Sequence, residues 1–346
     1  MNENGQIKAV GMFSGGLDST LAARIILDQG IQVTLLHFRT GFSYFERNRA
    51  AGREPIAELS DAERAAQSLG APLEIIDVPD EYISVVLNPR YGYGSGMNPC
   101  VDCRIFLLRQ AKAWMESHDH HFIFTGEVSG QRPKSQMRPT LNTVERESSL
   151  RGYLLRPLSA KLLEPTVPER RGWVDREKLY AISGRGRKEQ IALAEEFGIT
   201  DYAQPSGGCC YLIDRTYSRR LRDFLDREGD ESLTPRQAQL LAVGRHLRLP
   251  SGCKVVVGRH ERENDYLSTC GVEGTLLTTV DHPGPTTLIP GEPTREEIER
   301  AAQITASYSD GKSEPAVRVE VRRDGELSEV WTVEPMAREK IHAMMV

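Results

Sequence analysis

Apolar and polar residues alternate along the first half of the chain in blocks of two kinds. Residues 7–13 (Ile-Lys-Ala-Val-Gly-Met-Phe) form a short, largely apolar run that predicts a buried strand. Residues 17–29 carry apolar positions at helical spacing and stop at Gly30, a helix signature. The pattern repeats, with a strand over 32–38, a helix over 54–69 ending at Gly70, a strand over 73–78, a helix over 103–117 and a strand over 122–126. Strands separated by helices predict an α/β fold, a parallel sheet with helices on both faces. Ligands of such sheets bind beyond the carboxyl ends of the strands.

The pattern changes after about Arg227. Residues 228–232 (Glu-Gly-Asp-Glu-Ser) read as a polar linker. Beyond it lie a helix over 235–243, a strand over 254–257, turn-rich segments, a helix over 294–307, and strands over 316–321 and 329–333. This predicts a smaller α+β domain. The expected division is residues 1–228 and residues 236–346. A length of 346 residues suits two domains.

Hydrophobic content of 39% and charged content of 27% are those of a soluble globular protein. No apolar run reaches the ~18 residues of a membrane span, and the polar start lacks a signal-peptide core. The expectation is a cytoplasmic protein with no membrane partner. The formal net charge is −5, so a nucleic-acid partner must be met by local basic patches such as Arg219-Arg220-Leu221-Arg222.

The first chemistry lies between the first strand and the first helix, in Ser14-Gly15-Gly16-Leu17-Asp18-Ser19. Glycines let a backbone turn tightly and approach an anion, and a helix N-terminus offers free N–H groups and a positive dipole end. Ser14 and Ser19 add hydroxyl donors. Asp18 repels phosphate, so its expected part is to hold Mg²⁺ or orient the loop. No Gly-Lys-Ser/Thr follows, so this is not a Walker loop. The segment resembles the Ser-Gly-Gly-x-Asp-Ser signature of the PP-loop ATP pyrophosphatases. That resemblance implies cleavage of ATP between the α and β phosphates and transfer of AMP to a substrate oxygen.

The six cysteines include Cys100 and Cys103, two residues apart at a predicted helix start, and adjacent Cys209 and Cys210 after Gly207-Gly208. A helix N-terminus lowers thiol pKa and favours thiolate. Two plus one thiols make an incomplete zinc site. They suit a 4Fe-4S cluster on Cys100, Cys103 and one of Cys209 or Cys210, with one iron open for sulfide. A metal-free alternative puts a persulfide on one cysteine and has a second resolve it. Cys253 and Cys270 have no close partner and read as small apolar residues.

Further motifs sharpen the resemblance. Thr125-Gly126-Glu127-Val128, Gly130-Gln131-Arg132-Pro133-Lys134-Ser135-Gln136, Leu155-Arg156-Pro157-Leu158-Ser159-Ala160-Lys161 and Pro205-Ser206-Gly207-Gly208-Cys209 resemble bacterial tRNA 4-thiouridine synthase-like proteins over about residues 7–225. The segment before the loop does not resemble the THUMP-type tRNA-binding domain of standard 4-thiouridine synthases, which leaves the modified position open. The resemblance implies an ATP- and Mg²⁺-dependent tRNA sulfurtransferase: a uridine carbonyl oxygen attacks the α-phosphate, pyrophosphate leaves, and sulfur displaces AMP. The 4-thiouridine product is favoured and 2-thiouridine is the alternative. On this reading Asp18, Glu127, Lys134 and the four cysteines are catalytic. Ser14, Gly15, Gly16, Asp18, Ser19, Gly126 and Arg104 bind ATP, with Arg132, Lys134 and Arg104 neutralising phosphate charge.

In the second half, Gly258-Arg259-His260-Glu261, Asp281-His282-Pro283-Gly284-Pro285 and the stretch 301–309 resemble the NFACT-R domain, a family associated with RNA binding. Expected partners are therefore tRNA and a sulfur donor, sulfide or a persulfide carrier. The oligomeric state stays open, a homodimer included. Rival readings are a PP-loop amide-forming ligase and an RNA-binding protein with a regulatory ATP site. Weaker signals are the aromatic and arginine residues of 38–53, the basic turn 183–188 and the histidines at 118, 120 and 121.

Overall fold

The computed structural model describes residues 6–44, 46, 59–202, 209–323 and 326–346. The chain divides into two compact units, residues 1–40 with 57–209, and residues 41–56 with 210–346.

The first unit carries β1 (Lys8–Met12), α1 (Leu17–Leu27), β2 (Gln32–Arg39), α2 (Asp61–Leu69), β3 (Leu73–Asp77), α3 (Pro79–Leu87), α4 (Cys100–Ser117), β4 (Phe122–Thr125), α5 (Arg138–Glu147), β5 (Leu154–Leu155), α6 (Val167–Arg170) and α7 (Lys188–Glu196). Its sheet has the order β3-β2-β1-β4-β5, and every neighbouring pair is parallel. Successive residues of β1 enter opposite cores. Ala9 packs with Phe122, Phe124, Leu21 and Ile25 on the α1 side. Val10 packs with Ile123, Leu36, Leu108 and Ala111 on the α4 side. A strand buried on both faces must be apolar along its buried length, which is why 9–13, after Lys8 at the strand's start, reads as an unbroken run. The chain leaves β1 for β2 on one side and reaches β4 on the other. The carboxyl ends of β1 and β4 therefore form the switch point where α/β sheets bind ligands.

Local signals set several boundaries. Ser60 and Glu63 form a capping box at the start of α2, and Gly70 ends it in the left-handed region. The predicted helix over 54–69 is observed from Asp61; residues 54–58 lie outside the described residues. The helix predicted from Cys103 starts at Cys100. Asp102 accepts from the backbone N–H groups of Arg90 and Tyr91, which ties this first turn to the preceding loop. The helices α3 and α5 were not expected. Both have Pro in the first turn, a position that suits a helix start as well as a turn.

The second unit contains α8 (Arg215–Glu228), α9 (Pro235–Leu240), β6 (Arg245–Arg248), β7 (Lys254–Val257), α10 (Glu261–Thr269), β8 (Gly274–Thr279), β9 (Thr287–Pro290), α11 (Arg295–Ser307), β10 (Val317–Arg323), β11 (Glu326–Val333) and α12 (Arg338–Ala343). Its six strands form an antiparallel sheet in the order β11-β10-β8-β9-β7-β6. Ile298, Ala301, Ala302 and Ile304 of α11 pack on Val317, Val319 and Val321 of β10. A smaller core of Leu240, Val256, Leu267 and Leu288 joins α9 and α10 to the sheet. The strands β6, β8 and β9 were not expected. They mix apolar and polar residues without a long apolar run. Phe42, one of the aromatic residues of 38–53, is buried against Tyr211 and Tyr217, and the Tyr211 hydroxyl donates to the Gly41 carbonyl at 2.7 Å. Phe42 is thus a packing residue; Arg47, Arg49 and Arg53 lie outside the described residues.

Among the described residues no helix is long and apolar enough to cross a membrane. Phe124 is 1% exposed at the centre of the first core. Phe124→Ala should lower unfolding free energy by about 3–5 kcal/mol, checked by urea denaturation followed through circular dichroism.

Candidate nucleotide and thiol site

The loop between β1 and α1 is built around two different demands on glycine. Gly15 has φ +73°, and a Cβ there would sit 2.5 Å from the Ala62 nitrogen and the Asp61 carbonyl carbon. The conformation and the α2 backbone both require glycine. At Gly16 a Cβ would meet only the Ser14 hydroxyl at 3.5 Å, so the space beside it is open. Gly16 is the N-cap of α1 and no side chain caps the helix. The first-turn N–H groups are thus left for an anion. The Ser19 hydroxyl donates to the Gly16 carbonyl at 2.9 Å and lies 3.2 Å from the Ser14 hydroxyl, which holds the loop closed on itself. Gly126, expected at the nucleotide, has a further part. Its Cβ would lie 2.5 Å from Asp18 carbonyl atoms and the Ser19 nitrogen. Lacking one, the exit of β4 presses directly on the first turn of α1.

Asp18 lies in this contact, half-buried. Gln131 Nε2 donates to its Oδ2 at 3.1 Å, while its buried Oδ1 has no hydrogen-bond partner among the described residues. Burial pushes the carboxyl above its usual range, against the pull of Gln131, Arg187 and Arg132. An inward-facing carboxylate oxygen without a donor suits a hard cation such as Mg²⁺. Arg187 and Arg132 lie within electrostatic reach of the same carboxylate, which brings the basic turn 183–188 to the loop.

Glu127 follows, 2% exposed. Its Oε1 is 3.5 Å from Arg104 Nη1, and its Oε2 accepts from Arg156 Nε at 3.1 Å and from Thr125 at 3.3 Å. Burial works against its charge, but the two guanidiniums outweigh burial and hold the carboxyl below the usual range. With both oxygens engaged by arginine, Glu127 is an anchor joining β4, α4 and the end of β5. Lys134, expected at the phosphates, is exposed and donates to the Tyr93 carbonyl at 2.6 Å.

Cys100 and Cys103 occupy the first turn of α4, three residues apart and so on one face. Asn98 Nδ2 donates to Cys100 Sγ at 3.0 Å. Cys103 departs from the expected lowered thiol pKa. Burial, reinforced by nearby Cys209, pushes it up to about 12, despite a Tyr82 hydrogen bond and the Arg104 charge. Desolvation outweighs the helix end here. Cys100, Cys103 and Cys209 all lie within electrostatic reach of Arg104. The tertiary structure thus gathers these cysteines around one guanidinium, and Cys209 is exposed. Cys210 falls in the second unit. Among the described residues, no three Cys, His, Asp or Glu side chains are placed to hold a metal ion. The 4Fe-4S cluster expected on Cys100, Cys103 and one of Cys209 or Cys210 is therefore not supported by the described residues.

The histidines serve packing. His118 stacks on Trp114 at 4.0 Å, His120 lies 3.2 Å from the Thr34 hydroxyl, and His121 Nδ1 accepts from the Lys8 backbone at 3.1 Å. Residues given no role by sequence reasoning include Gln131, Arg156 and Gln190. Gln190 is fully buried on α7, and its amide approaches Asp18. Its signal was a polar side chain on the apolar stripe that also carries Leu193 and Ala194.

Two outcomes follow from these electrostatics. Glu127→Gln removes the ion-pair partner of Arg104 and one of the two carboxylates that hold the buried Arg156, and should cost about 3–5 kcal/mol near neutral pH. The carboxyl is depressed in the folded state, so its contribution is present above the ordinary glutamate pKa and lost as pH falls through the depressed value. The gap between wild type and variant should therefore narrow in acid, read by urea denaturation across pH. Alkylation of Cys103 should accelerate about tenfold per pH unit between about pH 8 and pH 10, followed by peptide mass spectrometry. A flat profile would show thiolate already present at neutral pH.

Residues 7–169 match the family described as tRNA methyl transferase HUP domain, and residues 244–345 match the NFACT protein RNA binding domain. The chain is similar to the tRNA-specific 2-thiouridylase MnmA of Syntrophotalea carbinolica, 41% identical over 28% of this chain and 29% of that protein. It is also similar to the enzyme of the same name from Symbiobacterium thermophilum, 24% identical over 68% of this chain and 60% of that protein. The chain thus spans between under a third and about three-fifths of the length of these relatives. A solved 4-thiouridine synthetase–RNA complex with bound ATP is 21% identical with a TM-score of 0.39, covering 67% of this chain and 53% of that one. Residues 7–169 therefore carry a PP-loop domain of the HUP kind, and residues 244–345 carry an NFACT-R-type domain.

Proposed function

We propose that the protein is an ATP-dependent tRNA uridine sulfurtransferase. The observation that carries this reading is the placement of Cys100, Cys103 and Cys209 around Arg104, whose ion-pair partner Glu127 follows the glycine packed on the phosphate loop. ATP lies with its phosphates at the first turn of α1. Arg132 and Arg187 offset phosphate charge, and Asp18 would hold Mg²⁺, which would supply charge neutralisation for the leaving pyrophosphate. The uridine carbonyl oxygen attacks the α-phosphate, pyrophosphate leaves, and the ring carbon becomes electrophilic. The relatives named as 2-thiouridylases favour the C2 carbonyl over the C4 carbonyl.

Sulfur arrives as a cysteine persulfide, and Cys209 and Cys103 are the pair the geometry favours. Cys209 is exposed and accessible to a sulfur carrier; Cys103 is desolvated and held beside Arg104. The terminal persulfide sulfur attacks the activated carbon and AMP departs. The second thiol then attacks the inner sulfur and closes a disulfide, which an external thiol reductant reopens. Arg104 stabilises the thiolates on this path.

Wild-type protein with ATP, Mg²⁺, unmodified tRNA and a persulfide donor should form thiouridine, measured by nucleoside mass spectrometry, which separates the 2- and 4-thio isomers. Cys103→Ala and Cys209→Ala should abolish thiolation while tRNA-dependent pyrophosphate release persists. Thiolation unimpaired in both variants would remove the persulfide pair, and pyrophosphate release without thiolation in wild type would favour an amide-forming ligase.

A further inference from the structure

The edge of the first unit carries a groove that the proposed chemistry does not use. It lies beside the two-residue edge strand β5, between α5 and the segment leading into α6, with a volume of about 570 Å³. Five arginines line it, together with three glutamates. Their charges do not cancel evenly. Arg156 is committed to Glu127 and Glu145. Glu169 is taken by Arg176 and by the Thr166 cap. Arg146 shares Glu147 with Arg90. Arg170 donates to the Pro165 carbonyl, a neutral acceptor that leaves its charge intact. Arg138 and Arg151 are exposed and, among the described residues, have no acidic partner. Arg138, Arg151 and Arg170 therefore stand against Glu164 alone, a local excess of positive charge in a chain whose net charge is −5.

The positive groups are spread out. Arg138 and Arg146 are eight residues apart on α5, about 12 Å along the helix at 1.5 Å per residue. One phosphate does not span that distance, whereas a polymer with repeated phosphates does. Arginine also gives fork-shaped donors that match phosphate oxygens.

We propose that this groove docks the phosphodiester backbone of RNA. It rests on the tRNA reading above and gives the PP-loop unit an RNA contact of its own. The contact sets position and carries no sequence information, because phosphate contacts fix register while bases specify.

The test uses the full chain, an unmodified tRNA transcript and a salt series, with Arg138→Gln/Arg151→Gln as the main variant and the exposed Arg151→Glu alone as the second. Thermal unfolding checks that both are folded. Affinity for tRNA should fall several-fold in both. For the double variant, the slope of log affinity against log salt should become shallower by about one for each phosphate no longer neutralised. Affinity for ATP should stay unchanged. Wild-type binding that depends on salt, with the same affinity and slope in the variants, would overturn the groove and leave the sulfurtransferase reading standing. Lost binding of inorganic phosphate with tRNA affinity intact would also overturn it, in favour of a small-anion site. A wild-type protein that does not bind tRNA would remove the reading on which the groove depends, and the groove with it.

Discussion

A carboxylate almost without solvent, Glu127, ties the first unit's chemistry together. It leaves the end of β4 and meets Arg104 on α4 and Arg156 after β5. A buried charge is tolerated only when it is paired, so the position of Glu127 dictates where both guanidiniums sit. Gly126, one residue earlier, lets the same backbone press on the first turn of α1. Phosphate loop and thiols are thus held to one short segment. Displacing that segment would disturb both ends of the proposed reaction.

The two ends use opposite electrostatics. At the loop, uncapped N–H groups lie beside a half-buried Asp18 with Arg132 and Arg187 within its electrostatic reach, an arrangement suited to phosphates and their cation. At Cys103, burial opposes the charged form and raises the thiol pKa, and Arg104 stands nearby to favour the thiolate.

Much of the fold was legible because its strands are short, apolar and separated by helices with clear stops at Gly30 and Gly70. The loop between β1 and α1 was legible because Gly15 meets a steric demand that no other residue meets there. Less regular pieces escaped. The helices α3 and α5 open with proline, and the strands β6, β8 and β9 lie in a sheet whose polar positions hide the alternation. Lys134 shows the limit of reading charge from position: beside the site in sequence, it turns to the Tyr93 carbonyl instead.

The sequence by itself determined the parallel sheet, the glycine-rich loop between its first strand and helix and the presence of thiols at a helix start, since each depends on neighbours within a few residues. Only the tertiary structure decided that Cys209 approaches Cys103, that Gln190 turns to Asp18, and that Glu127 belongs to two arginines. It also reversed the expected thiol acidity. A helix terminus is local and visible in the chain, but desolvation is the sum of everything packed around a group, and no stretch of sequence contains that sum.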